Sequence, residues 1–178
     1  MAAAVELFWR AGYQETTIAM LTRAMGVSPP SLYAAFGDKD ALFDEASAMY
    51  FLRIREGIDK ATARPTAREA IALILDETAR AHTDAVTPLG CLMLTEPRLA
   101  AQREDIRSRL SNRIARGIVD GDVPPTVQPD ELASFLMAVM RGMSGCARDG
   151  GSTEQVLAIA RYALATFPEV RPAQGIAR

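Results

Sequence analysis

Residue types that catalysis and metal binding require are scarce in this sequence. It contains one histidine, His82, and two cysteines, Cys91 and Cys146, with no Cys–His pair and no HExxH pattern. A helical enzyme would need a nucleophile beside a base, paired carboxylates in a cleft, or a cluster of metal ligands. The sequence therefore predicts that the protein is not an enzyme and binds neither a metal nor a cofactor.

These three residues have simpler structural explanations. His82 is expected to be a partly buried helix residue, with ligand recognition as the alternative. Cys91 and Cys146 are too few and too far apart for a disulfide scaffold, and we expect small buried residues. A redox-sensing thiol is the alternative, which no flanking cluster of positive charge favours.

One short segment has the residue types and spacing to contact nucleic acid. A helix of about ten residues ends at Gly26, and a two-residue turn leads into a very short helix, Pro29–Phe36. Leu32 and Phe36, four residues apart, would face inward. A helix this short is not stable alone, so a core must hold it from one side. This helix-turn-helix layout leaves the other face free to enter a major groove.

Helices must position this segment, because the rest of the sequence has helical periodicity and no strand-like alternation. We predict an all-α fold of about nine helices. A three-helix domain over residues 1–46 is joined, by a helix running to about residue 60, to a larger helical domain over 47–170. Residues 171–178 are predicted to be a flexible tail. Gly12 is expected to end the first helix, and later helices are expected to begin at capping residues: Thr16, Ser28, Asp38 and Ser152.

The charge balance favours no nucleic-acid partner by itself. The chain has 178 residues, 20 of them basic and 22 acidic, for a net charge of −2. Residues 1–45 hold three bases and six acids, which predicts weak phosphate attraction and a shallow salt dependence. No apolar stretch is long enough for a membrane helix and no signal peptide is evident, so a cytoplasmic protein without membrane contact is expected.

Residues 7–43, LFWRAGYQETTIAMLTRAMGVSPPSLYAAFGDKDALF, strongly resemble the DNA-binding domain of TetR-family transcriptional regulators. The ordered features are the LF pair before Gly12-Tyr13, Thr16-Thr17, the GVS turn, Leu32-Tyr33, Phe36-Gly37, Lys39 and Leu42-Phe43. Residues 90–97 and 141–168 also resemble the ligand-binding and dimerisation domain of one bacterial branch of that family.

The resemblance implies a repressor that binds double-stranded operator DNA as a homodimer and is released by a small-molecule effector. In this family, Thr17 and Lys39 would contact phosphates, and Tyr33 would contact a phosphate or a base edge. The implied DNA-contacting residues are Thr17, Ser28, Pro29, Pro30, Ser31, Tyr33, Ala34, Ala35 and Lys39. Tyr33 at the core edge and Lys39 as a solvated surface residue are the alternatives.

A second hypothesis is a ligand-sensing or interaction protein with a weakened DNA-binding domain. The acidic balance of residues 1–45 and the short stretch before the LF pair motivate it. The recognition helix also lacks the Arg, Asn and Gln side chains that commonly read bases. Binding or absence of binding to the upstream region of its own gene separates the two hypotheses.

The helices of the second domain contain more apolar residues than are needed to pack them into a single thin layer. This excess predicts a pocket for a mostly apolar, uncharged or weakly polar ligand. The candidate pocket residues are Leu73, Leu75, Leu92, Met93, Leu94, Ile106, Met137 and Met140.

The last two helices are apolar on more than one face and therefore need a second surface to pack against. The candidate dimer residues are Phe135, Met140, Met143, Val156, Ile159, Ala163 and Phe167.

The most basic stretch of the sequence contains six arginines between residues 98 and 116, opposed there only by Glu104 and Asp105. We expect these arginines to form the solvated faces of a helix whose Ile and Leu residues point inward. Binding of an acidic partner or of DNA is the alternative. The six residues are Arg98, Arg103, Arg107, Arg109, Arg113 and Arg116.

Overall fold

The computed structural model describes residues 1–170, and within them every regular element is helical. The predicted tail at 171–178 lies outside the described residues. Nine α-helices and one 3₁₀ turn, Pro97–Leu99, make up the described part of the chain, which confirms the predicted all-α fold. The α-helices are α1 Ala2–Glu15, α2 Ile18–Met25, α3 Pro29–Phe36, α4 Lys39–Thr62, α5 Ala67–His82, α6 Leu92–Thr95, α7 Ala100–Asp120, α8 Pro129–Arg148 and α9 Thr153–Ala165.

Side-chain caps fix most of the helix starts. The Ser28 hydroxyl accepts a hydrogen bond from the Ser31 backbone N–H, and the Asp38 carboxylate accepts one from Ala41 N–H at 2.8 Å. Ser152 and Gln155 form a reciprocal capping box at α9. The predicted caps at Ser28, Asp38 and Ser152 are therefore confirmed.

The cap of α2 is the exception. Thr17, and not Thr16, caps this helix by accepting from Met20 N–H at 3.2 Å. Thr16 is fully buried, and its hydroxyl donates to the Gly12 carbonyl at 2.6 Å. The prediction for Thr16 was wrong because two adjacent threonines offer equivalent caps, and only the direction in which α1 leaves decides between them.

Gly12 ends the first helical segment of α1, as predicted, and a second short segment follows within the same bounds. The residue has φ +76°, and one more helical turn follows it to Glu15. Glycine accommodates this left-handed backbone because it has no Cβ. The break frees the Tyr13 backbone N–H from the helical ladder, and Glu96 then accepts from it at 2.9 Å.

The core is continuous from the first helix to the last. In the N-terminal part, Phe8 lies edge-on to Phe43 with ring centroids 5.0 Å apart, and Leu32 brings α3 onto this cluster. The long helix α4 packs against α1, α5 and α7 and so spans both parts of the chain. Helix α8 packs between α7 and α9. Within residues 1–170, no helix is both long enough and apolar enough to cross a membrane.

The arginine cluster ties helices together, which corrects the prediction of solvated helix faces. Arg107 pairs with Asp130 of α8 at 2.9 Å, and Arg109 pairs with Asp59 of α4. The Arg113 guanidinium is buried and donates to the carbonyls of residues 64 and 65. Arg107 and Arg109 also pair with Glu104 and Asp105 inside the stretch. The stretch looks basic in the sequence because the other acidic and carbonyl partners are distant along the chain.

Candidate nucleic-acid interface and internal cavity

Helices α2 and α3 cross at a tight turn that Gly26 makes possible. Gly26 has φ +68° and ψ +31°, the left-handed conformation that ends a helix sharply. Ser28 caps α3, and Pro29 takes its first position, where no backbone donor is lost. Leu32, only 1% exposed, holds the short helix against the core. This packing of the inner face also fixes the direction in which the outer face of α3 points.

The predicted DNA-contacting residues of α2 and α3 all lie on the exposed surface. Tyr33 is 48% exposed, so its phenol is available to a partner and the alternative of a core-edge position is disfavoured. The Thr17 hydroxyl oxygen accepts the capping hydrogen bond from Met20 N–H, and its hydrogen can still donate to a phosphate. The exposed set is Thr17, Ser28, Pro29, Pro30, Ser31, Tyr33, Ala34 and Ala35.

The leading end of α3 offers few backbone donors. Pro29 and Pro30 have no N–H, and the Ser31 N–H is already bonded to the Ser28 hydroxyl at 3.3 Å. The two serine hydroxyls lie 2.9 Å apart and share one hydrogen bond. This end can therefore contact DNA through hydroxyls, proline rings and methyl groups, and not through the free amides that usually bind anions at helix N-termini.

Lys39 performs a structural task that the sequence did not reveal. Its ammonium donates to the carbonyls of Tyr13 and Thr16, both at 2.9 Å, and lies 4.0 Å from the centre of the Tyr13 ring. The alternative of a solvated lysine is therefore wrong. A third N–H remains, so contact with a phosphate stays a prediction, beside the role of joining α4 to the end of α1.

Positive charges from outside residues 1–45 offset the acidic balance of the N-terminal part. Arg98 pairs with Asp40 at 2.5 Å and lies over the Tyr13 ring, while Arg148 donates to the Trp9 carbonyl. The hydrogen bond from the Tyr13 phenol, followed by that from Arg98, lowers the pKa of the Asp40 carboxyl. A count over residues 1–45 alone therefore overstates the negative charge of the N-terminal part.

A cavity of about 370 Å³ lies where α1 meets the second part of the chain. Val5 and Trp9 of α1 form one wall. The other walls are formed by α4, α5, the segment leading into α6, α6 itself and Met140 of α8. The lining is mostly apolar, and the charged residues Arg53, Glu77 and Asp84 are exposed and lie at its mouth. The arrangement suits a small, mostly apolar molecule.

Three of the eight predicted pocket residues line this cavity: Met93, Leu94 and Met140. The other five, Leu73, Leu75, Leu92, Ile106 and Met137, lie elsewhere in the core or against it. Helical geometry explains the error, because Ile74 and Thr78 of α5 face the cavity and the neighbours of Ile74 point about 100° away. The cavity is also lined by four residues outside the predicted pocket set: Trp9, Tyr50, His82 and Cys91. The sequence indicates a ligand role for His82 alone among them, as an alternative.

The only histidine of the chain lies in the cavity wall in a neutral form. Burial, and then the nearby Arg148 charge, lower the pKa of His82 from 6.5 to about 4. The unfolded chain therefore takes up a proton as the pH falls through 6.5, whereas the folded chain does not until about pH 4. The contribution of His82 to stability is complete above pH 6.5 and is lost as the pH falls between these two values.

We expect the free energy of unfolding to fall by about 2 kcal/mol between pH 7 and pH 5 because of His82 alone. Urea unfolding at the two pH values measures this loss. The variant His82→Leu should lose much less over the same range, since it has no imidazole to protonate. An equal loss in both proteins would show that other groups cause the acid sensitivity.

Helices α8 and α9 present an apolar groove on the outer surface. Phe135 and Tyr162 are 43% and 79% exposed, and Val139, Ile159 and Ala163 lie with them along the groove. The structure thus places Phe135, Ile159 and Ala163 of the predicted dimer set on one outer face. The other four residues, Met140, Met143, Val156 and Phe167, are at most 4% exposed and pack inside the protomer, which corrects their assignment.

Cys91 and Cys146 are free thiols. Cys91 is buried in the cavity wall and accepts a hydrogen bond from the Tyr50 phenol at 3.2 Å, and burial raises the pKa of its thiol. Cys146 is half-buried. Among residues 1–170, no cluster of three or more His, Cys, Asp and Glu side chains is arranged to hold a metal ion.

Comparison with known proteins agrees with this architecture. Residues 1–46 match the family model of bacterial regulatory proteins of the tetR family. The HTH-type transcriptional repressor ComR of Escherichia coli K12 is 31% identical and aligns with 94% of this chain and 86% of its own length. The repressor BdcR of the same strain is 32% identical, over 92% of this chain and 84% of its own.

A solved structure extends the agreement to three dimensions. A cysteine mutant of the TetR-family regulator CifR, complexed with 26-base-pair double-strand operator DNA, superposes with a TM-score of 0.89 and 37% identity over 94% of both chains. Sequence and structure agree over nearly the whole length, and the helix-turn-helix is the part that the family model matches. The chain therefore belongs to the TetR family and is a DNA-binding regulator of transcription.

Proposed function

We propose that this protein is a repressor that binds a palindromic operator as a homodimer and is released from it by a small, mostly apolar ligand. The observation that carries the proposal is the exposed outer face of α3, held rigid by Leu32 and flanked by the hydroxyls of Thr17 and Ser28. ComR and BdcR, its relatives over most of the chain, are transcriptional repressors. A site of this kind acts on the bacterial chromosome, and so in the cytoplasm, without a catalytic step.

The apolar groove on α8 and α9 supports a twofold assembly. A symmetric dimer buries the same patch on both subunits, and a groove lined by Phe135, Ile159 and Tyr162 is suited to this. The dimer then presents two copies of α3 to successive major grooves, which is why the operator should be palindromic. The proposed division of labour is DNA binding by residues 1–46, and ligand binding and dimerisation by residues 47–170.

The position of the cavity supports release by a ligand. A ligand changes operator affinity only if it binds the DNA-free arrangement more tightly than the DNA-bound one. Because Val5 and Trp9 of α1 form part of the cavity wall, a ligand there touches the DNA-binding part directly. A hundredfold preference for the DNA-free arrangement would shift the equilibrium by about 2.7 kcal/mol.

We expect Tyr33→Ala to weaken operator binding about 30-fold without changing the thermal unfolding of the protein. The phenol is exposed and supplies about one hydrogen bond per half-site, each worth about 1 kcal/mol. A mobility-shift titration on the upstream region of its own gene, compared with scanning calorimetry, measures both properties. Parent-like binding by Tyr33→Ala would show that this face of α3 does not contact DNA.

Lys39→Ala is the contrasting variant. Its ammonium joins the carbonyls of Tyr13 and Thr16, so this substitution should lower both the melting temperature and operator affinity. A variant that loses operator binding at unchanged stability would indicate that Lys39 acts mainly on phosphate.

A further inference from the structure

Two polar groups in the wall of the cavity have no partner in the fold. The indole nitrogen of Trp9 and Nδ1 of His82 are buried and form no hydrogen bond with any residue of the described range 1–170. Both residues line the cavity, Trp9 from α1 and His82 from the end of α5. A buried polar group without a partner costs about 1–3 kcal/mol, so a ligand that pairs with either one recovers part of that free energy.

Two other buried polar groups of the wall, those of Tyr50 and Cys91, are engaged with each other. The Tyr50 phenol donates to Cys91 Sγ, and the Trp9 ring lies edge-on to Tyr50 with centroids 4.8 Å apart. The Cys91 thiol is buried with a raised pKa, so it is present as the neutral thiol. The threonine hydroxyls of the wall can either donate or accept, and Arg53 is exposed. Trp9 is therefore the buried side chain of the wall that can only donate and has no partner among residues 1–170.

The interior of the cavity carries no net charge that would favour an ion. His82 is neutral at physiological pH, and Arg53, Glu77 and Asp84 are exposed to solvent at the mouth. An ammonium group placed among Ile54, Ile74 and Met140 would lose its hydration without gaining a counter-charge. For a carboxylate, the Arg148 charge that acts on His82 would offset only part of this cost, because Arg148 does not line the cavity. A neutral molecule pays no such cost.

We propose that the effector is an uncharged, mostly apolar molecule with a carbonyl-type oxygen, which accepts a hydrogen bond from the indole N–H of Trp9 on α1. The indole nitrogen is buried, so the ring must turn toward the cavity for this N–H to reach the ligand. His82 pairs with a second polar group, because a neutral imidazole has one donor and one acceptor nitrogen. This inference rests on the proposed function. It specifies the chemical class of the effector and the residue of the DNA-binding part, Trp9, with which the effector forms a hydrogen bond.

The test compares cyclic ketones with hydrocarbons of the same shape on the full-length dimer. Cyclohexanone and cyclooctanone are the carbonyl probes, methylenecyclohexane and methylenecyclooctane are their apolar counterparts, and cyclohexanecarboxylate is the charged one. Calorimetry gives the affinities. Trp9 is the only tryptophan of the sequence, so its emission maximum reports whether a probe enters this cavity.

The ketones should bind about 3- to 10-fold more tightly than the matched hydrocarbons, should bind more tightly than the carboxylate, and should shift the Trp9 emission. Trp9→Phe keeps an aromatic ring against Tyr50 and removes the N–H, so it should abolish the preference for ketone while hydrocarbon affinity changes little. Comparison of the two probes within each protein corrects for any general damage by the substitution.

Three results would overturn the inference: no detectable binding of any ketone, hydrocarbon or carboxylate binding as tight as ketone binding, or an unchanged ketone preference in Trp9→Phe. Operator titration without ligand tests the proposed function separately. If the protein binds its operator but does not bind the ketones, the proposed ligand class is wrong and the proposed DNA-binding function is retained. If the ketones bind as described but no operator is bound, the proposed function is wrong and the proposed ligand chemistry of the cavity is retained.

Discussion

A protein carrying Phe135→Glu together with Tyr162→Glu should sediment as a monomer and should bind its operator at least about 100-fold more weakly. Both side chains are exposed in the protomer, at 43% and 79%, so the change costs little within one subunit. In the proposed dimer they are buried, and two charges per subunit would meet their symmetry copies across an apolar groove. Loss of the dimer removes the linkage between half-sites that gives a two-site operator its affinity.

The matched control is Val119→Glu, which also places a charge at an exposed apolar residue, 86% accessible and outside the groove. It should remain dimeric and bind the operator as the parent does. Sedimentation velocity and a mobility shift at the same protein concentrations measure both properties. If the double variant remains a dimer, the groove on α8 and α9 is not the interface.

Glu96→Ala should lower the free energy of unfolding by about 2–3 kcal/mol and weaken operator binding. Glu96 is only 6% exposed and joins the two parts of the chain: one carboxylate oxygen accepts from Tyr13 N–H at 2.9 Å and the other from Arg98 N–H at 3.2 Å. Removing it leaves two partly buried backbone donors unpaired where α1 contacts the segment after α6. The two recognition helices of a dimer would then be less well fixed in their spacing.

Glu96→Gln is the control, because its amide keeps one oxygen that can accept from Tyr13 N–H. It should lose less stability than Glu96→Ala and retain more operator affinity. Urea unfolding and operator titration on the three proteins provide the comparison. Equal behaviour of Ala and parent would show that this carboxylate does not hold α1.

The helix-turn-helix and most helix starts were predictable because their causes are local. A serine followed by Pro29 specifies the start of α3 within four residues, and Gly26 specifies the turn before it. The capping box of Ser152 and Gln155 acts over the same distance. Interactions of this range depend on residue type and spacing alone, and both can be read directly from the chain.

The faces of the later helices could be predicted only in part. Periodicity indicates that α8 has apolar residues on more than one side, and the structure shows Phe135 facing outward with Met140 and Met143 facing inward. The spacing of apolar residues does not say whether a neighbouring helix, a cavity or a second subunit covers each side. This is why the predicted dimer and pocket sets mixed core residues with surface residues.

The sequence by itself determined the all-α class, the position of the recognition helix and its exposed polar face. Only the tertiary structure decided that Trp9 and His82 meet in one cavity, that Lys39 holds the end of α1, and that Glu96 joins α6 to Tyr13. These contacts join residues 23 to 83 positions apart along the chain, or lie across a cavity between helices. Their partners are chosen by how the helices pack, because side chains distant in sequence interact only after the core has brought their helices together.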